Sequence, residues 1–102
     1  QLYMVSSLTE AMSLPKSFSL DRAYPNPFNP VTTLSFALPV TSNVLLEVYD
    51  INGRLINELI KSNMDAGYHS VIWNADNNAS GVYFVKMVAG DFVNTQKLML
   101  VK

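Results

Sequence analysis

No cysteine occurs anywhere in the 102 residues. That excludes disulfides, thiolate metal sites and a cysteine nucleophile. Small secreted eukaryotic modules usually rely on such cross-links, so their absence leans toward a bacterial surface module. Histidine is nearly as scarce, with His69 alone. Basic charge is thin: Lys16, Arg22, Arg54, Lys61, Lys86, Lys97 and Lys102 are scattered, and the formal net charge is −1. Tight nucleic-acid binding needs clustered cations that displace counterions from phosphates, and the sequence has no such cluster. No apolar run approaches the roughly 20 residues of a spanning helix. No secretory signal peptide and no glycine-rich phosphate loop are recognisable. The chain opens Gln1-Leu2-Tyr3 without a methionine, which reads as the end of something larger.

What is present is apolar and aromatic content, 49% and 11% of residues. A chain of this length makes one domain and must fill one core. Residues 1–20 stand apart. Leu2–Val5 is apolar, Ser7-Leu8-Thr9-Glu10 has the spacing of a helix capping box, and Pro15 limits any helix to a turn or two. They are expected to be a linker or strand-like lead-in from an upstream domain, with the folded domain spanning 21–102.

Tyr24-Pro25-Asn26-Pro27-Phe28-Asn29-Pro30 follows. Three prolines in so short a run predict an irregular or polyproline-like stretch, neither helix nor ladder. Its two aromatics are expected to pack on the domain, and Asn26 and Asn29 to cap nearby backbone groups.

Beyond Val31 the apolar pattern alternates in short runs. Thr32–Leu38 places Leu34, Phe36 and Leu38 on one face, and Val44–Asp50 places Val44, Leu46 and Val48 opposite Glu47 and Tyr49. Asn52-Gly53 predicts a hairpin with a type I′ turn. Ile51, Leu55, Ile56, Leu59 and Ile60 have helical spacing, but the turn before them favours a bulged strand over 54–61, with a short helix as the alternative. Tyr68–Asn74, Gly81–Ala89 and Phe92–Val101 complete six strands. A seventh comes from 17–20 or the proline segment. Seven short strands with regular turns predict an all-β fold, an immunoglobulin-like antiparallel β-sandwich.

Catalytic chemistry finds little purchase here. Ser70 adjoins His69 but points to the opposite face of a strand, and a base must reach its nucleophile. His69 reads as a half-buried packing residue. Glu47, Asp50, Glu58, Asp65, Asp76 and Asp91 fall at turns or outward positions, without the pocket that paired carboxylates need for glycoside hydrolysis. Asn74, Asp76, Asn78 and Ser80 alternate like oxygen ligands of a calcium loop. Ala79 and Val85 stand where an EF-hand needs glycine and glutamate, so the stretch reads as a polar turn, and no metal or other cofactor is expected. Asn78-Ala79-Ser80 also fits the N-glycosylation pattern. Tyr49, Tyr68, Trp73, Tyr83 and Phe92 are candidates for a sugar- or protein-binding face, though most are expected in the core.

The ordered motifs resemble a known family. Ala23-Tyr24-Pro25-Asn26-Pro27-Phe28-Asn29-Pro30 with Val31-Thr32-Thr33, then Val48–Arg54, Ala66–Asn74, Ala79–Phe84 and the closing Thr95–Lys102 resemble the C-terminal sorting domains of the type IX secretion system of the Bacteroidetes. The resemblance implies a non-catalytic signal at the C-terminus of a secreted cargo. It implies recognition by the outer-membrane translocon, and removal by a sortase-like peptidase that cuts before the folded domain. Passage through the periplasm to the cell surface, or secretion, follows. The positions it implicates are Pro25, Asn26 and Pro27, Gly81, Val82 and Tyr83 at the start of the penultimate strand, and Lys97 and Lys102 in the last. That last run is expected at a sheet edge unless paired on both sides, with its lysines as guards. The rival expectation is a permanent structural or adhesive immunoglobulin-like module, with carbohydrate binding as one use.

Overall fold

The computed structural model describes residues 14–102. The apolar run and capping box read in residues 1–10 lie outside the described residues. Seven strands follow: β1 (Ser19–Leu20), β2 (Val31–Leu38), β3 (Ser42–Asp50), β4 (Leu55–Met64), β5 (Gly67–Asn74), β6 (Gly81–Ala89) and β7 (Phe92–Leu100). One sheet has the order β1-β2-β5 and the other β4-β3-β6-β7, and every strand pair is antiparallel. This is the expected sandwich, with residues 17–20 contributing the seventh strand.

The alternation explains the core. Leu34, Phe36 and Leu38 of β2 face Val44, Leu46 and Val48 of β3 and Val85 and Met87 of β6, all at or near zero exposure. Trp73 joins the two layers: its ring meets Tyr83 edge-on at 5.4 Å and Phe28 at 5.5 Å. Its indole N–H donates to Asn57 Oδ1 at 3.0 Å, so the one polar atom of a buried ring is satisfied. Phe18 stacks on Phe92 at the opposite margin.

Two local expectations change in detail. The β3–β4 hairpin forms at Asn52-Gly53, but only Gly53 has positive φ, at 80°. Asp50 C=O accepts from Gly53 N–H at 3.0 Å, and Asp50 N–H donates to Arg54 C=O at 2.9 Å. That is a three-residue loop, a type I turn closed by a glycine bulge, in place of type I′. Asp50 decides it. Its carboxylate accepts from the Asn52 and Arg54 amides at 2.9 and 3.0 Å and from Arg54 Nε at 3.1 Å, which holds Ile51 and Asn52 in right-handed geometry. These bonds, the Arg54 amide first, hold the Asp50 carboxyl below its ordinary range.

The bulged strand is real and carries two bulges. Leu46 pairs with Ile60 and Glu47 with Glu58, leaving Leu59 extra; Val48 pairs with Asn57 and Tyr49 with Leu55, leaving Ile56 extra. Each bulge resets the two-residue period, so Ile56, Leu59 and Ile60 all pack on the core. Two phase resets mimic the helical spacing of the sequence.

Trp73→Ala and Tyr83→Ala should each cost about 3–5 kcal/mol by emptying the junction between the sheets, read as a lower melting temperature in calorimetry. Because the folded state depresses the Asp50 pKa, its contribution is present above the unfolded carboxylate pKa and lost as pH falls through the folded value. Asp50→Asn should therefore narrow its stability gap from the parent chain as pH is lowered through the acid range, measured by thermal unfolding.

Candidate functional site

The proline segment departs from expectation in an informative way. Phe28 is buried at 2% exposure, but Tyr24 stands 80% exposed, so only one of the two aromatics packs inward. The Tyr24-Pro25, Asn26-Pro27 and Asn29-Pro30 peptide bonds are cis. The segment also enters the ladders: Tyr24 bridges Thr33 antiparallel and Phe28 bridges Leu100 parallel. It lies along the outer edge of β7.

That edge is therefore paired on both sides over its C-terminal half. Phe28 N–H donates to Met99 C=O and Val101 N–H to Phe28 C=O, each at 2.9 Å. Asn26 extends the pairing with its side chain. Its Nδ2 donates to Lys97 C=O at 3.0 Å and its Oδ1 accepts from Met99 N–H at 3.0 Å, so the carboxamide imitates a peptide unit. A donor and an acceptor are both required, which explains asparagine. Further along β7, Gln96 Nε2 donates to the Leu20 and Asp21 carbonyls at 2.8 and 2.6 Å, and Gln96 Oε1 accepts from Ala23 N–H at 3.3 Å. An open groove beside this clamp is lined by Arg22, Asn26, Asn94, Gln96 and Lys97. Gln96 carried no signal in the sequence, because an amide on an alternating strand is unremarkable until its partners are known.

On the other side, β6 meets the same residues: Gly81 pairs with Leu100, Val82 with Met99 and Tyr83 with Leu98. Tyr83 is buried, and its hydroxyl donates to Ala79 C=O at 2.6 Å. A tyrosine near the start of the sixth strand that bonds a few residues upstream is a tyrosine corner of immunoglobulin-like folds. Lys102 closes the chain against the same loop. Its backbone N–H donates to Ser80 Oγ at 2.9 Å, and its ammonium to the Asp76 and Asn78 carbonyls at 2.6 and 3.1 Å. The alternating polar stretch is thus a turn whose inward carbonyls hold a lysine. Lys102 is a loop clasp rather than an edge guard, because its ammonium is drawn to those carbonyls.

All eight positions named from the sequence, Pro25, Asn26, Pro27, Gly81, Val82, Tyr83, Lys97 and Lys102, gather around the last six residues. Tyr83 alone among them is buried; Val82 is half-buried and the rest are exposed. Elsewhere, His69 stacks on Phe36 at 5.3 Å and its Nε2–H donates to Asp65 C=O at 2.8 Å. Glu47 accepts the Tyr49 hydroxyl, and this bond raises the Tyr49 pKa. Of the five candidate binding aromatics, Trp73 and Tyr83 are core and Tyr49 and Phe92 half-buried, leaving Tyr68 exposed. Among the described residues, no group of three His, Asp or Glu is placed to hold a metal, and no helix is long and apolar enough to cross a membrane.

The profile of the secretion system C-terminal sorting domain matches residues 22–102. The chain belongs to that family. Its members are sorting signals of type IX secretion, and the family is not known as a catalytic one. A search of the curated proteins finds no match. Two solved structures from Porphyromonas gingivalis share the fold. PorZ, described as an essential bacterial surface component of the type-IX secretion system, aligns at a TM-score of 0.58 and 23% identity over 82% of this chain. Dimeric latent PorU aligns at 0.62 and 21% identity over 85%. The chain spans only 12% and 9% of those proteins.

Asn26→Ala in the sorting domain should cost about 1–2 kcal/mol for two lost bonds. It should speed hydrogen exchange at the Met99 amide. Asn26→Asp keeps the acceptor and should preserve that protection better, as amide exchange by NMR will show.

Proposed function

We propose that the corner around Lys97–Lys102 is the surface by which an outer-membrane translocon reads this domain, after export to the periplasm. The domain thereby directs an upstream cargo to the cell surface or the medium. The observation that carries the reading is the convergence of separate motifs on one strand: the proline segment from one side, and the start of β6 from the other. Among the described residues the interior is filled and the pockets are open surface grooves, so a reader must take shape and backbone from outside. In this reading the chain has no catalysis of its own. A partner with sortase-like peptidase activity cuts in the lead-in ahead of the folded domain, which begins with Phe18 and β1, a few residues before position 21. PorZ and PorU share the fold and support the assignment to this export route.

The exposed residues of the corner suit recognition: Pro25, Asn26, Pro27, Lys97 and half-buried Val82. Tyr83 and Lys102 serve it indirectly by holding the loop at Ala75–Ser80. Removing Lys97–Lys102 would also remove the buried Leu98 and Leu100, so that deletion cannot separate recognition from folding. Surface point variants can.

Fused to a reporter cargo, Lys97→Glu combined with Val82→Asp should leave the cargo in the periplasm while circular dichroism and melting stay close to the parent. Glu58→Gln on β4 should export normally. Full surface display by the doubly changed corner would refute this assignment. Mass spectrometry of the mature surface protein separates a removed signal from a permanent adhesive module, which would retain residues 21–102.

A further inference from the structure

An unpaired strand edge invites another strand, and folded proteins block such edges with charge, proline, bulges or a cover. Three of the four sheet edges are blocked here, each differently. β4 carries two bulges together with Glu58 and Lys61. β7 lies under the proline segment and the Gln96 clamp. β1 is two residues long and runs directly into Asp21 and Arg22. Among the described residues, β5 has none of these devices. Its eight residues, Gly67–Asn74, pair with β2 in unbroken register and include no proline and no Lys, Arg, Asp or Glu.

The direction of its free groups follows from the ladder. Thr33 exchanges both backbone bonds with Tyr24, and Ser35 C=O accepts from Asp21, so these residues of β2 face the β1 side. Antiparallel bonding alternates, so Thr32, Leu34 and Phe36 bond to Trp73, Val71 and His69. Ala75 N–H, which donates to Pro30 C=O at 2.8 Å, continues the same phase. Tyr68, Ser70 and Ile72 therefore turn their N–H and C=O groups outward. Their side chains share the outer face, where Tyr68 is 69% and Ile72 64% exposed.

We propose that this edge pairs with β5 of a second copy of the chain, antiparallel about a two-fold axis at Ser70. The register is self-complementary in three respects. Outward backbone groups meet outward groups, so the two edges exchange about six hydrogen bonds. Tyr68 falls opposite the partner's Ile72, and aromatic against β-branched is a favourable cross-strand pair. No charge opposes another, since the edge has none of fixed sign. The two three-stranded sheets join into one six-stranded sheet through an isologous contact. The contact is small, so association is weak and concentration-dependent. It uses none of the residues of the corner assigned to sorting and does not depend on that assignment.

The chain has no cysteine, which makes cross-linking clean. Ser70→Cys should form disulfide-linked dimers roughly tenfold faster than Val40→Cys, an exposed loop position, because only the two-fold brings its sulfurs within bonding range. Sedimentation of the parent chain should show dimer growing with concentration. Ser70→Lys, which sets like charges face to face, should stay monomeric with unchanged melting. Ile72→Lys should weaken the dimer, and adding Tyr68→Glu should restore it, since the register apposes those two positions. Equal cross-linking at both cysteine positions would overturn the proposal. So would a parent chain that stays monomeric into the millimolar range, or amides of Tyr68, Ser70 and Ile72 protected equally at every concentration, which would mean that another segment of the same chain covers the edge.

Discussion

The pairing of the proline segment with the last strand is the constraint on which the rest of this structure depends. The ten-residue loop between β1 and β2 reaches across the open side of the sandwich and bonds to the edge of the opposite sheet. Asn26 supplies a side-chain substitute for a peptide unit, Phe28 supplies backbone and a buried ring, and Gln96 answers from β7. A strand at the chain terminus, paired on one side only, would fray and present apolar residues to solvent. Paired on both sides, it becomes an interior strand whose side chains Leu98 and Leu100 close the core.

The same contact links the domain's beginning to its end. Phe28 touches Trp73, Trp73 touches Tyr83, and Tyr83 ties the loop that Lys102 clasps. Disturbance of the last residues is thereby transmitted to the opening segment through one run of packed rings and backbone bonds. For a signal, this has a consequence. The surface at the corner exists only when both chain regions are in place, so a reader of the kind proposed would sense a completed fold rather than a short peptide. β5 contributes Trp73 to this linkage, while Tyr68, Ser70 and Ile72 on its outer edge stand apart from it and form the edge proposed to pair with another copy of the domain.

Much of the architecture was legible because burial alternates along β2 as far as Phe36 and along most of β3 and β6, where one face is core and the other more exposed. The helical spacing at Ile56, Leu59 and Ile60 was legible only as a conflict, resolved by two bulges that a single period cannot encode. The turn at Asn52-Gly53 was placed correctly and typed differently, since the Asp50 carboxylate binds two amides and takes the choice away from the Asn-Gly pair. Tyr24 and Phe28 look alike in sequence, yet one is solvated and the other buried, because the bridge to Thr33 leaves Tyr24 on the outer face. The candidate site was legible as separate motifs. Their meeting, and Gln96's part in it, was not.

The sequence by itself determined the all-β class, the positions of the strands and the identity of the core, because these follow from local periodicity and turn chemistry. It also determined family membership, through motifs in fixed order. Only the tertiary structure decided which edges are covered, that Lys102 clasps a loop, and that Asn26 completes a ladder. Those are contacts between residues more than twenty positions apart, and no local pattern records which distant backbone group will be left waiting for a partner.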